Sequence, residues 1–173
     1  MTSTITTCLW FNNKEAEEAA AYYVSIFNGA PGASSHPAST NLSTTRYTSA
    51  GEECHRQEPG STMTAEFTLR GQRFVGLNGG PQGWSFSPAV SFQIDCADQE
   101  EVDYFWGRLG EGGDEKKQQC GWLQDKFGIS WQVVPVELKE LIGGGGEGAA
   151  RVTSVMMGQK KLDIGALRKA LEG

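Results

Sequence analysis

One motif occurs twice in this chain, and the repetition limits what the chain can fold into. Leu9-Trp10-Phe11 lead through Asn12 and Asn13 to Glu17-Glu18-Ala19 and the pair Tyr22-Tyr23. Phe92-Gln93-Ile94 lead through Asp95 and Asp98 to Glu100-Glu101-Val102 and the pair Phe105-Trp106. The copies align without a gap at a constant offset of 83 positions. Each reads as a strand, a polar turn and an amphipathic helix. A period of that length is too long for a solenoid unit and suits one half of a pseudo-symmetric domain. Duplicated βα modules bring equivalent positions to one shared cleft, so the repeat also says where function is to be sought.

The surrounding patterning extends both copies. Residues 4–11 read as a strand and 14–27 as a helix, with Ala16, Ala19, Ala20, Tyr23 and Phe27 as its apolar stripe. Residues 63–69 alternate cleanly, Arg70-Gly71-Gln72 reads as a hairpin turn, and 74–77 return as a strand. Between helix and hairpin, residues 28–61 are rich in Gly, Ser, Thr and Pro and offer one strand candidate at 42–47. So long a polar segment in a compact domain is usually functional or mobile. In the second copy 89–95 read as a strand, Asp98 as an N-cap with Glu101 completing a capping box, and the helix as running to about Leu109. Strands are expected at 118–124 and 129–134, around the turn Asp125-Lys126-Phe127-Gly128. From Pro135 the pattern turns helical and is broken at Gly143–Gly146. Val152, Val155, Met156, Leu162, Ile164, Leu167 and Leu171 supply apolar faces for two closing helices.

A chain of 173 residues is long enough to bury about 70% of its unfolded surface as one domain. The net charge of −6 argues against nucleic acid and anionic membrane, which both favour a basic face. There is no apolar run long enough to span a bilayer. The N-terminus lacks a basic region followed by an apolar one, so a cytoplasmic protein is expected. Cys8, Cys54, Cys96 and Cys120 form no C-x-x-C and read as reduced thiols.

By period two, Leu9, Phe11, Val90, Phe92 and Ile94 should face the helices, and Cys8, Trp10, Thr64, Glu66, Ser91 and Gln93 the opposite, partly polar side. Glu66 is the acid that alternation puts mid-strand on that side, either a desolvated general base or a solvated carboxylate. Cys120, beside Gly121-Trp122, is a nucleophile candidate or a packing cysteine, with no histidine near in sequence to activate it. Trp10 and Trp122 are either aromatic walls for a planar ligand or core residues.

Further motifs are Gly71-Gln72-Arg73-Phe74, Leu77-Asn78-Gly79-Gly80-Pro81, Phe86-Ser87-Pro88-Ala89-Val90-Ser91-Phe92, the run from Gln119 to Pro135, and Lys160-Lys161-Leu162-Asp163-Ile164. With the repeated motif they resemble the PhnB-like branch of the vicinal oxygen chelate superfamily. That superfamily includes glyoxalase I, bleomycin-resistance proteins and extradiol dioxygenases, and the branch often carries the label 3-demethylubiquinone-9 3-methyltransferase. The resemblance implies an α+β fold of two βαβββ modules, curved mixed sheets around a cleft, in a single glyoxalase-like domain. Module one covers about 1–81 with its 28–61 insertion, module two about 86–135, and closing helices 136–173. It also implies a homodimer and a small-molecule ligand.

Enzymes of the superfamily hold a divalent ion with four His, Glu or Gln side chains, one from the first and one from the last strand of each module. The ion then acts as a Lewis acid. The matched positions here are Cys8, Ser91, Gln132 and one of Phe74, Val75, Gly76, Leu77 or Asn78. His36 and His55, the only histidines, lie in the long polar segment. A hard cation wants anionic oxygens and zinc wants thiolate or imidazole, so no metal and no other cofactor is expected. Glu66 and Gln132 remain as polar catalytic candidates, and Cys8, Trp10, Asn78, Ser91, Gln93, Cys120 and Trp122 as pocket residues.

The methyltransferase label finds no support in a nucleotide-binding motif. An S-adenosylmethionine enzyme of the doubly wound kind needs a Gly-rich turn after its first strand, and Leu9-Trp10-Phe11-Asn12-Asn13 has no glycine. Three readings stand. The first is a metal-independent enzyme acting on an aromatic or oxygen-rich molecule. The second is sequestration of a small molecule without chemistry, as in bleomycin resistance. The third is a metal-dependent lyase, isomerase or dioxygenase completed by the loop or a partner chain.

Overall fold

Alternation, turn chemistry and helical stripes each find their element in the computed structural model, which describes residues 5–173. The chain divides into two compact units, Met1–Ser85 and Phe86–Gly173. In the first, strand β1 (Thr7–Phe11) is followed by helix α1 (Ala16–Gly29), strand β2 (Thr40–Arg46), the short helix α2 (Glu52–His55), and strands β3 (Thr62–Leu69) and β4 (Gln72–Asn78). Residue 4, which the sequence pattern assigns to the first strand, lies outside the described residues. The sheet order is β1-β4-β3-β2, with β1 and β4 parallel and the other pairs antiparallel.

The β3–β4 hairpin turns on Arg70 and Gly71, with φ of 46° and 88°. Positive φ at both central residues is the turn whose twist matches its flanking strands. Arg70 tolerates that conformation with help: its amide donates to Ser39 Oγ at 3.1 Å and its guanidinium lies over the Phe27 ring. One face of this sheet carries Leu9, Phe11, Ala65, Phe67, Leu69 and Phe74, all buried against the α1 stripe of Ala16, Ala19, Ala20, Tyr23, Ile26 and Phe27. Phe67 stacks on Phe74 at 5.2 Å. Alanine at three of the helix positions lets α1 lie close to the sheet.

The second unit contains strand β5 (Phe92–Cys96), helix α3 (Gln99–Gly110), strands β6 (Trp122–Gln124) and β7 (Ser130–Pro135), and helices α4 (Leu138–Gly143), α5 (Gly146–Met157) and α6 (Ile164–Glu172). Its sheet order is β5-β7-β6, with β5 and β7 parallel. The mixed α+β architecture is the expected one, but the second copy is a strand short of βαβββ. Between α3 and β6 the polar run Glu111-Gly112-Gly113-Asp114-Glu115-Lys116-Lys117 has no apolar alternation to bury and forms a 3-10 turn at Glu115–Lys117. The expected strand at 118–124 contracts to Trp122–Gln124, because Cys120 and Gly121 adopt φ of 56° and 82° and cannot continue an extended ladder. Val90, placed by period on the buried face, precedes β5 and is 71% exposed. Asp98 does cap α3 by accepting from the Glu101 amide at 3.0 Å, and Glu101 reaches back to the amide of Ala97 at 2.7 Å.

The C-terminal helices close over Leu138, Leu141, Val152, Leu162 and Leu167. Gln99 ties this cap to α3: its amide nitrogen donates to the Leu162 carbonyl and its oxygen accepts from the Ile164 amide. Beside it Asp103 meets Lys161 at 2.6 Å, and the hydrogen bonds from Lys161 and Gln99 hold its carboxyl below the usual carboxylate range. A depressed carboxyl contributes stability that is present above the unfolded carboxylate pKa and is lost as pH falls through the folded one. The stability difference between wild type and Asp103→Asn should therefore shrink as pH is lowered from 5 to 3, read from urea midpoints. An unchanged difference over that interval would refute the role assigned to this pair.

Candidate functional site

The faces turned away from the helices carry the candidate residues. In the first unit the register sets Trp10, Leu77, Thr64 and Thr45 in one row across the strands, and Cys8, Val75, Glu66 and Ser43 in the next. Glu66 is engaged there: Arg73 Nη2 meets its Oε2 at 3.0 Å. Partial desolvation pushes the thiol of the surface-exposed Cys8 above its ordinary range, the direction that weakens a nucleophile.

Trp10 is on this face but is not free. Its Nε1 donates to the Gly80 carbonyl at 3.0 Å, and Trp84 meets its ring edge-on at 5.8 Å. Asn12 holds the Trp84 carbonyl at 3.0 Å. The connection after β4 thus folds back over Trp10, and the close approach requires glycine: a Cβ at Gly79 would sit 2.2 Å from the indole.

Asn78 belongs to the opposite face. It is buried, its Oδ1 accepts from the Ala16 amide at 3.0 Å, and its Nδ2 donates to the Thr62 carbonyl. Glu15, at the N-cap of α1, makes no side-chain cap, so Asn78 satisfies the first amide of the helix from across the fold. It is a structural tie rather than a pocket residue.

In the second unit Gln93, Gln132 and Trp122 are cross-strand neighbours in one row. Burial of Leu123 settles the strand parity that the sequence leaves open and puts the half-buried Trp122 on the open face. Gln132 Nε2 donates to Ser91 Oγ at 2.9 Å, and Gln93 Nε2 to Asp95 Oδ1 at 2.7 Å.

Cys120 is not in this row. Its backbone turn is held by the Gln159 carbonyl at 2.7 Å, its Sγ donates to the Met156 carbonyl at 3.4 Å, and burial raises its thiol. It seats the turn before β6 on α5. His36 lies exposed at the end of a 3-10 turn, whereas the His55 ring lies against Tyr47 at 4.6 Å, tilted by 38°. The Nδ1 of His55 accepts from the Gln57 amide and its Nε2 faces the Ala50 carbonyl. Both ring nitrogens are thereby in use within the segment.

The register also identifies the position that the sequence leaves open. The offset that carries Leu9 onto Phe92 carries Trp10 onto Gln93; Trp10 pairs with Leu77 as Gln93 pairs with Gln132. Leu77 is therefore the counterpart of Gln132. The family's ligand positions hold a thiol and an aliphatic chain in one unit, and a hydroxyl and an amide in the other. That donor set does not fit a divalent ion. Among the described residues, no three His, Cys, Asp or Glu side chains converge into a metal-binding group.

Two residues escaped the sequence reading. Asp95 continues the Gln93 parity and could have been found by counting one step further. Asp125, read only as part of a turn, is buried and accepts from the amides of Phe127 and Ile129 and from the Trp131 indole.

The model of the 3-demethylubiquinone-9 3-methyltransferase family matches residues 3–134. The chain belongs to that family. A PhnB protein from Bacillus cereus is 30% identical, with a TM-score of 0.60 over 77% of this chain and 99% of its own. The likeness extends, as fold alone, to protein PA1353 from Pseudomonas aeruginosa, 17% identical with a TM-score of 0.53 over 78% of this chain and 98% of its own. It extends in the same sense to the fosfomycin resistance protein FosX from Mesorhizobium loti, 12% identical with a TM-score of 0.50 over 83% and 98%. No curated protein matches the chain. The family model and the PhnB protein bear out the PhnB-like reading of the sequence, and the more distant structures share its glyoxalase-like fold. The family match ends within β7, so α4, α5 and α6 lie beyond it. Among the described residues no helix is long and apolar enough to cross a membrane.

Proposed function

We propose that this PhnB-like protein binds a small, aromatic or oxygen-rich molecule on the open face of its sheets, without a resident metal. The row Trp122–Gln132–Gln93 carries the reading, since it offers an indole face beside two amides at adjacent strand positions. Binding without chemistry is the version that the side chains favour. Glu66 is held by Arg73, the thiols of Cys8 and Cys120 are raised, and an amide such as Gln132 orients a ligand but does not move protons. The family name refers to methyl transfer, yet the link from β1 to α1, Asn12-Asn13-Lys14-Glu15, lacks the Gly-rich turn that a doubly wound S-adenosylmethionine site needs after its first strand. Dimerisation, expected from the resemblance, belongs to the same proposal and is read by light scattering.

A thermal-shift screen tests it. Aromatic ligands at 100 times their Kd should stabilise by about 2.7 kcal/mol, or roughly 5–10 °C for a chain of this size, and be recovered unchanged. Trp122→Ala should abolish the shift. Zinc, nickel, manganese and ferrous ions should leave Tm where it is. Stabilisation by a metal alone would overturn the metal-free reading and favour ligands supplied by His36, His55 or a partner chain, while turnover of the ligand would favour an enzyme.

A further inference from the structure

The face that carries Gln93 continues into a groove of about 470 Å³ whose lining includes Gln93, Asp95, Val134, Val136, Lys139 and Ile142. Asp95 pairs with Val134 one step beyond the Gln93–Gln132 row, on the same side of the sheet. Its Oδ1 accepts from Gln93 Nε2. A carboxylate can only accept, so this bond fixes which way the Gln93 amide points: nitrogen towards Asp95, carbonyl oxygen free for a ligand. The sheet end of the groove thus presents acceptors.

The other end is cationic. Past β7 the Val136 amide donates to the Cys96 carbonyl at 2.9 Å, and the chain enters α4 with Lys139 in its first turn. The neighbouring acid Glu137 is directed to Arg168 at 3.0 Å. Among the described residues neither Asp95 nor Lys139 forms an ion pair, with each other or with another side chain. Val136, 53% exposed, and Ile142, 39% exposed, supply an uncovered apolar wall. One groove therefore carries a free acceptor end, a free cationic end and apolar surface. Those features complement a molecule with the opposite polarity at its two ends.

We propose that this groove binds a small zwitterion with an apolar body, its ammonium group at Asp95 and Gln93 and its carboxylate at Lys139. The proposal rests on the reading that the Trp122–Gln132–Gln93 face binds small molecules, and it names the ligand class. The probes are 4-(aminomethyl)benzoate, 4-methylbenzylamine, which lacks the carboxylate, and 4-methylbenzoate, which lacks the amine. Each is titrated into the full chain by NMR. The zwitterion should bind best, by about threefold to fivefold over either analogue, the range of a solvent-screened charge contact. Lys139→Met should erase its advantage over 4-methylbenzylamine, and Asp95→Asn its advantage over 4-methylbenzoate. Equal binding of all three probes, or a ranking that survives both substitutions, overturns the proposal. If the zwitterion fails while the neutral 4-methylbenzyl alcohol binds and Trp122→Ala abolishes that binding, the zwitterion falls and the binding face stands. Failure of every probe overturns both.

Discussion

Asp125→Ala is expected to lower stability by about 3–4 kcal/mol, and Tm by roughly 10 °C, although Asp125 is not itself a candidate ligand contact. Asp125 is 2% exposed, and its carboxylate gathers three donors of the β6–β7 hairpin. Oδ1 accepts from the amides of Phe127 at 2.9 Å and Ile129 at 3.0 Å, and Oδ2 from Trp131 Nε1 at 2.7 Å. Hydrogen bonds to a charged acceptor contribute about 1.5–3 kcal/mol each, and a buried donor left without one loses its hydration as well. Water can reach the part-buried Phe127 amide, so the three terms do not simply add. Asp125→Asn should lose less, about 2 kcal/mol, because one amide oxygen still serves the turn while its NH₂ opposes the indole N–H. A double-mutant cycle with Trp131→Phe isolates the indole term, expected at about 1.5–3 kcal/mol. A loss below 1 kcal/mol for Asp125→Ala, or no coupling to Trp131, would refute this account. The motif Gln124-Asp125-Lys126-Phe127-Gly128-Ile129-Ser130-Trp131, one of the specific marks of the family resemblance, is then largely a device for building the hairpin.

That motif shows where the sequence is legible and where it is not. Helices α1 and α3 declare themselves because burial on one face forces a 3.6-residue period, and the capping acid Asp98 marks the start of the second. Strands β1 and β3 are equally plain, since one face is apolar and the other polar. The reading fails where both faces carry apolar residues or where a tie is made across the fold. In β4, Phe74, Val75 and Leu77 hide the parity, so Asn78 could not be assigned to the α1 side until its bond to Ala16 was seen. Around Cys120 the left-handed backbone of a non-glycine residue gives no local warning, and the expected strand shortens. The candidate site divides along the same line. Cys8, Trp10, Glu66, Ser91, Gln93, Gln132 and Trp122 were all named from sequence. That Arg73 engages Glu66 and the connection covers Trp10 follows only from the pairing of distant segments.

Gly79→Ala should dislodge Trp10 and lower stability by about 2–3 kcal/mol, or roughly 5–10 °C in Tm. The added methyl carbon would lie 2.2, 2.3 and 2.5 Å from Cζ2, Cε2 and Cη2 of the indole, so the ring cannot remain where it is. A small slide does not suffice, because the ring is fixed on two other sides, by the Gly80 carbonyl and by Trp84. Leaving the site breaks the Nε1 hydrogen bond and separates the aromatic pair. The Trp10 Nε1–H resonance, assigned by Trp10→Phe, should move, and in a Trp10→Ala background Gly79→Ala should become nearly neutral. Wild-type Tm together with an unmoved indole resonance would show that the connection does not grip Trp10. The substitution also separates the two aromatic candidates. If the ligand stacks on Trp122, as the open row with Gln132 and Gln93 implies, its affinity should survive Gly79→Ala and be lost in Trp122→Ala. The opposite outcome would move the binding face to the first sheet, with Trp10 as its platform and the 79–84 segment as the element that covers it.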